Sequence, residues 1–152
     1  MLHVGDKVPD IRLPSSLGKD VSLTDFEGKK IVLYFYPKDD TPGCTTEACE
    51  FRDALKKYDG LNTVIIGVSK DSLKSHDKFI EKYDLPFKLI SDEKMVLLDA
   101  FGTWKEKSMY GKTFMGIERS TFLIDEKGTI IKEWRNVKVP NHVAQVLEEI
   151  KM

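Results

Sequence analysis

The chain of 152 residues holds only two cysteines, Cys44 and Cys49, and only three histidines, His3, His76 and His142. A disulfide-stapled secreted scaffold needs more of the former, and the histidines are too isolated in sequence to suggest a metal centre. Neither sign of charge dominates, with 24 basic residues against 25 acidic ones. The lysines and arginines are dispersed along the chain, which argues against a nucleic-acid partner. Long apolar runs are missing as well. The longest, Ile31 to Tyr36, is far too short to span a bilayer, and residues 1–10 lack the basic-then-apolar pattern of a leader. No internal repeat or low-complexity linker interrupts the chain. The expectation is one soluble, cytoplasmic domain over residues 1–152, with no membrane and no nucleic acid among its partners. In a reducing compartment two cysteines favour a transient, catalytic or redox-sensing disulfide over a permanent staple.

Ile31 to Tyr36 and Val64 to Val68 are continuous apolar runs of strand length, the pattern of strands covered on both faces. Between them Ala48, Phe51, Leu55 and Tyr58 keep one face of a helix, so the stretch reads as a right-handed strand–helix–strand unit. A second helix is expected over residues 72–83, with Leu73, His76, Ile80 and Tyr83 in its stripe, and a shorter one over 93–101. Phe87 to Ile90 reads as a brief strand. Residues 120–125 and 129–134, separated by Glu126-Lys127-Gly128, carry a hairpin signal. Val143, Val146, Leu147 and Ile150 mark a C-terminal helix with Pro140 near its start. This order is that of an α/β thioredoxin-like sandwich, a central mixed sheet flanked by helices, with an N-terminal extension over residues 4–26. Residues 102–118 show no clear periodicity and are read as a packed connection rather than a site lid.

The cysteines lie directly after the turn-rich run Pro37-Lys38-Asp39-Asp40-Thr41-Pro42-Gly43. Cys44 therefore falls in the opening turn of a helix, where free N–H groups and the helix dipole favour a thiolate. Cys44 aligns with Ala48, Phe51 and Leu55 and faces the sheet, whereas Cys49 is rotated by roughly 140°. In an ideal helix their Cα atoms are about 8.7 Å apart, beyond the roughly 7 Å a disulfide can close. Bonding them requires the first turns to unwind, unlike a Cys-x-x-Cys pair. The thiols then have separate tasks: Cys44 attacks an oxidant such as a peroxide and becomes a sulfenic acid, and Cys49, once released, condenses with it to a disulfide. At pH 7 an ordinary thiol is already about 3% ionised, so full ionisation gains at most roughly 30-fold. Enzymes commonly reach ~10⁶-fold. Donors that hold the peroxide and stabilise the departing oxygen must supply the rest. Thr41 and the N–H groups of Gly43 and Cys44 are local candidates, and a cation is needed as well. Arg12, Arg52, Arg119 and Arg135 all remain open on this reading.

The run Tyr36-Pro-Lys-Asp-Asp-Thr-Pro-Gly-Cys44-Thr-Thr-Glu-Ala-Cys49 resembles the active-site segment of peroxiredoxins, in particular the peroxiredoxin Q or bacterioferritin comigratory group. It includes the Pro-x-x-x-Thr-x-x-Cys signature as Pro37, Thr41 and Cys44. The similarity extends through residues 104–111 and 116–125. It implies a thioredoxin-like fold and reduction of hydrogen peroxide and organic hydroperoxides without metal or haem cofactors. It further implies Cys44 as peroxidatic cysteine, Cys49 as resolving cysteine, Thr41 as a hydrogen-bond donor to the peroxide, Pro37 as a shield and Arg119 as the guanidinium. The oxidised enzyme would be recycled by a thioredoxin-like or glutaredoxin-like reductant. A monomer is expected, since both thiols lie on one chain. The rivals are a general dithiol–disulfide oxidoreductase on the same fold and a peroxide-sensing redox module.

Three other features are read plainly. Glu47, in the first helical turn, is assigned to the helix dipole rather than to catalysis. His76 sits on an apolar stripe and is read as a core residue. Gly111-Lys112-Thr113 resembles the end of a phosphate-binding loop, but Glu106 stands where its first glycine belongs, so that reading is discarded.

Overall fold

In a computed structural model, which describes residues 1–151, the chain forms nine strands and four α-helices. Met152, the last residue of the expected domain, lies outside the described residues. Strand β3 (Lys30–Phe35) leads into helix α1 (Pro42–Asp59), β4 (Thr63–Ser69), α2 (Leu73–Tyr83), β5 (Lys88–Ser91) and α3 (Val96–Ala100). Strands β8 (Ser120–Ile124) and β9 (Ile130–Trp134) and helix α4 (His142–Lys151) complete the main body. The central sheet has the order β5-β4-β3-β8-β9. Strand β3 pairs in parallel with β4 and antiparallel with β8, so the sheet is mixed. Its pairings β4–β5 and β8–β9 are parallel and antiparallel respectively.

The unbroken apolar run of β3 has a direct cause. Val32, Tyr34 and Tyr36 join one buried cluster with Ala48 and Phe51 of α1 and Val146 of α4. Ile31, Leu33 and Phe35 point to the opposite face and pack with Leu97 and Leu98 of α3. Alternate side chains thus fill two cores, and from Ile31 onward no position of the strand is left for a charged residue. In the N-terminal extension, β1 (Leu13–Pro14) pairs with β2 (Asp20–Val21). Val8, Val21 and Leu23 from this extension close the second core.

The expected packed connection over residues 102–118 is instead a two-stranded antiparallel ribbon, β6 (Trp104–Met109) and β7 (Lys112–Ile117). Its hydrophobic pattern is poor because Met109, Phe114 and Met115 are exposed rather than facing a core. Tyr110 and Gly111 both have positive φ, at 53° and 76°, which suits the tight turn of a two-residue hairpin. Two smaller corrections concern the helices. Leu73 keeps about a third of its surface exposed, at 36%, and the buried members of α2 are His76 and Phe79. Helix α3 starts at Val96, three residues later than expected, because Met95 before it adopts left-handed backbone with φ 62°.

Candidate active site

The site forms where the C-terminal end of β3 turns into α1. Pro42 occupies the first turn of α1, where its missing N–H costs nothing. Thr45 N–H closes onto Thr41 C=O at 2.8 Å, leaving the earlier N–H groups of Gly43 and Cys44 without intrahelical acceptors. Cys44 is buried in the first core cluster, while Cys49 is half-buried on another side of the same helix. Both thiols are free and α1 is continuous through both of them.

Arg119, between β7 and β8, reaches across from the far side of the site. Its Nη2 donates to Cys44 Sγ at 3.3 Å, and its Nη1 donates to Glu47 Oε1 at 2.6 Å. One planar fork therefore binds the thiol and orients on a buried carboxylate at once. Burial opposes the Arg119 charge, but Glu47 and Cys44 outweigh it and hold the guanidinium above its ordinary value. The other three arginines are engaged elsewhere: Arg12 with Asp25, Arg52 with Asp53 and the Tyr83 carbonyl, and Arg135 with Glu133 and the Leu2 carbonyl.

The dipole assignment of Glu47 is overturned. Its side chain is fully buried, and burial raises its carboxyl from 4.5 to about 7 despite the opposing pull of Arg119. Its Oε2 and the buried Tyr34 hydroxyl lack hydrogen-bond partners among the described residues. A bare acceptor of this kind adds to the preference for a neutral carboxyl. The signal was present in the sequence: positions 44, 47, 48 and 51 form one face of α1, and a glutamate on that face has to be buried.

Thr41 is the residue capping α1, yet its side chain makes no capping bond; its hydroxyl donates to Lys38 C=O at 2.8 Å. Its single donor is thus used within the loop, leaving its lone pairs as acceptors. Pro37 is half-buried and lines, with Arg119, Lys107, Val137 and Lys138, a cleft of about 400 Å³. The guanidinium also lies against Gly43, where an added Cβ would stand 3.2 Å from Arg119 Nη2.

His76 is not isolated in the fold. Its Nδ1 lies 2.8 Å from Asp39 Oδ2 and its Nε2 lies 2.9 Å from Ile90 C=O. A possible metal-ligating group of Asp39, Asp71 and His76 has its atoms within 4.8 Å of one another. Those atoms are already committed, since Asp71 Oδ2 accepts from Asp39 N–H and from the Ser69 hydroxyl. The cluster is therefore a hydrogen-bonded network, with donors already aimed at the oxygen atoms a metal would need.

Comparison with known proteins agrees with this geometry. The model of the AhpC/TSA family matches residues 4–133. Peroxiredoxin Bcp of Bacillus subtilis is 56% identical over 150 residues, covering 99% of this chain and 96% of that protein. Among solved structures, peroxiredoxin Q of Xanthomonas campestris superposes with a TM-score of 0.92 at 45% identity, covering 97% of this chain and 96% of that one. A mutant of Xylella fastidiosa PrxQ gives 0.94 at 42%, covering 99% and 96%. A further Xanthomonas campestris structure, with a TM-score of 0.92 at 44% identity and 98% coverage of both chains, is of a bacterioferritin comigratory protein described as reducing alkyl peroxides. With a family match over most of its length, and relatives that cover it almost end to end, the chain belongs to the AhpC/TSA family as a peroxiredoxin of the Bcp/PrxQ kind.

Proposed function

We propose that this peroxiredoxin reduces hydrogen peroxide and organic hydroperoxides through Cys44, with Cys49 as the resolving thiol. The observation that carries the assignment is the 3.3 Å bond from Arg119 Nη2 to Cys44 Sγ at the start of α1. The Cys44 thiolate attacks one peroxide oxygen. An S–O bond forms as the O–O bond breaks, and the alkoxide or hydroxide leaves and takes a proton. The guanidinium and the N–H groups of Gly43 and Cys44 are placed to stabilise that developing charge. Thr41, through its lone pairs, accepts from the peroxide O–H while its own hydroxyl donates to Lys38 C=O, or donates to the peroxide once that bond is released. Pro37 screens the sulfur from bulk water.

Cys49 then attacks the Cys44 sulfenic sulfur, an S–S bond forms, and hydroxide leaves as water after protonation. The step requires the first turns of α1 to unwind, because an intact helix holds the two Cα atoms about 8.7 Å apart. A dithiol protein of the thioredoxin or glutaredoxin type reduces the disulfide. The reading places the whole cycle on one domain of a cytoplasmic monomer. No helix among the described residues is long and apolar enough to cross a membrane.

A coupled assay with thioredoxin, thioredoxin reductase and NADPH tests this directly. Peroxide-dependent oxidation of NADPH is expected, and it should vanish in Cys44→Ser. In Cys49→Ser a single turnover to sulfenic acid should survive; its loss would refute the division of labour. Insulin reduction without any response to peroxide would instead favour the general oxidoreductase.

A further inference from the structure

We propose that the buried His76–Asp39 pair positions the peroxide-binding loop, acting on the reaction through Pro37 and Thr41 rather than by touching substrate. The inference rests on Cys44 being the thiol that meets peroxide. Asp39 lies midway between Pro37 and Thr41 in the loop that delivers α1, and its side chain points inward instead of to solvent. Its Oδ1 accepts from the Tyr36 hydroxyl, and its Oδ2 faces Nδ1 of His76 at 2.8 Å and accepts from the Ser75 hydroxyl at 2.8 Å. Its N–H donates to Asp71 Oδ2 at 2.8 Å. A short loop residue is thereby held from four directions.

His76 sets the direction of the main bond. Its Nε2 must carry a proton to satisfy Ile90 C=O, which can only accept. A second proton lies between Nδ1 and the Asp39 carboxylate, because two bare acceptors would repel at 2.8 Å. The groups facing the imidazole are Asp39, Tyr36 at 3.5 Å, Asp71 within the same cluster and the Ile90 carbonyl. The next residue is clamped to the same helix. Asp40 has left-handed backbone with φ 57°, and its carboxylate accepts from Lys82 at 2.8 Å and from the Tyr83 hydroxyl at 2.7 Å. Helix α2 thus grips two successive loop residues immediately before Thr41. With the pair removed, the loop keeps its sequence but loses its fixed distance from Arg119.

The test compares two substitutions that divide the histidine's bonds. His76→Asn keeps a donor near Asp39 and gives up Ile90, whereas His76→Gln keeps the donor to Ile90 and gives up Asp39. The measurements are the second-order rate of Cys44 with hydrogen peroxide, the rate of Cys44 alkylation by iodoacetamide, and the melting temperature. Alkylation needs an accessible thiolate but no peroxide pocket, so it reports the part of the rate that positioning does not control. His76→Gln should lose roughly ten- to a hundred-fold toward peroxide, the scale of a displacement near 1 Å, with alkylation changed by less than about threefold. His76→Asn should recover most of the peroxide rate. Parent-like peroxide rates in His76→Gln, equal losses in both reactions, or an equal loss in His76→Asn would each overturn the proposal. If the His76 variants do not fold, Tyr36→Phe and Ser75→Ala each delete one bond to Asp39. A selective fall in the peroxide rate is expected in both, and parent-like rates in both would refute the positioning role. A parent Cys44 that ignores peroxide would refute the functional reading instead, which separates the two failures.

Discussion

Replacing Arg119 by Met removes a charge from two partners at once, and each loss has its own signature. At Cys44 the lost bond from Nη2, 3.3 Å long, has a charged donor, an interaction worth about 1.5–3 kcal/mol. At about 1.4 kcal/mol per factor of ten, peroxide reduction should slow by roughly ten- to a hundred-fold. At Glu47 the effect is on stability. The parent carboxyl titrates at about 7 because burial raises it while Arg119 pulls it down; without Arg119 it must rise further. A carboxyl with a raised folded pKa contributes stability that is complete below its unfolded value, near 4.5, and is lost as pH climbs through the folded value. In the parent this loss is finished soon above pH 7, whereas in Arg119→Met it continues at up to about 1.4 kcal/mol per pH unit. Urea unfolding at pH 5.5, 7.0 and 8.5, performed in a Cys44→Ser background to silence the thiol, measures the difference. The gap between variant and parent should widen by up to about 1.6 kcal/mol between pH 7 and 8.5. A gap that stays constant with pH would refute the account of Glu47, and an undiminished peroxide rate would refute that of Cys44.

Gly43→Ala gains helix propensity, about 0.8–1.0 kcal/mol, yet its Cβ would press on Arg119 Nη2 at 3.2 Å; peroxide reduction by stopped flow should slow several-fold in a protein at least as stable as the parent. Oxidation with one equivalent of peroxide should lower the intact mass by two hydrogens and, by hydrogen exchange, deprotect the first turns of α1 while β3 stays protected; a Cys44–Cys49 disulfide with α1 fully protected would sink the unwinding step. His142 is buried, with Nε2 at 2.8 Å from the Thr121 hydroxyl, and burial together with Arg119 lowers its pKa to about 4. Its contribution is therefore complete above about pH 6.5 and lost as pH falls from there toward 4. His142→Gln should flatten the decline in melting temperature over that window, and an unaltered decline would assign it to other groups.

The sequence was most legible where structure is local. The apolar run of β3 announces a strand covered on both faces, and the Thr41-Pro42-Gly43 breaker followed by the 44, 48, 51 spacing places Cys44 at a helix start. The five-residue offset to Cys49 follows from helix geometry alone. These features depend on residues near one another in the chain, whose periodicity records which face is buried. The ribbon at residues 104–117 escaped because its exposed side chains leave no such record. Other assignments depended on partners far apart in sequence. Among four arginines, the residues alone gave no reason to choose Arg119, and family resemblance singled it out. The fold brings Arg119 to a thiol 75 residues earlier in the chain. The same juxtaposition buries Glu47 beside that cation and turns a dipole partner into its orienting group. His76 looked like one more member of an apolar stripe until the fold set it against Asp39, 37 residues away. Strand and helix identities are set by the pattern along the chain, whereas the charges that govern one sulfur are set by distances that only tertiary packing creates.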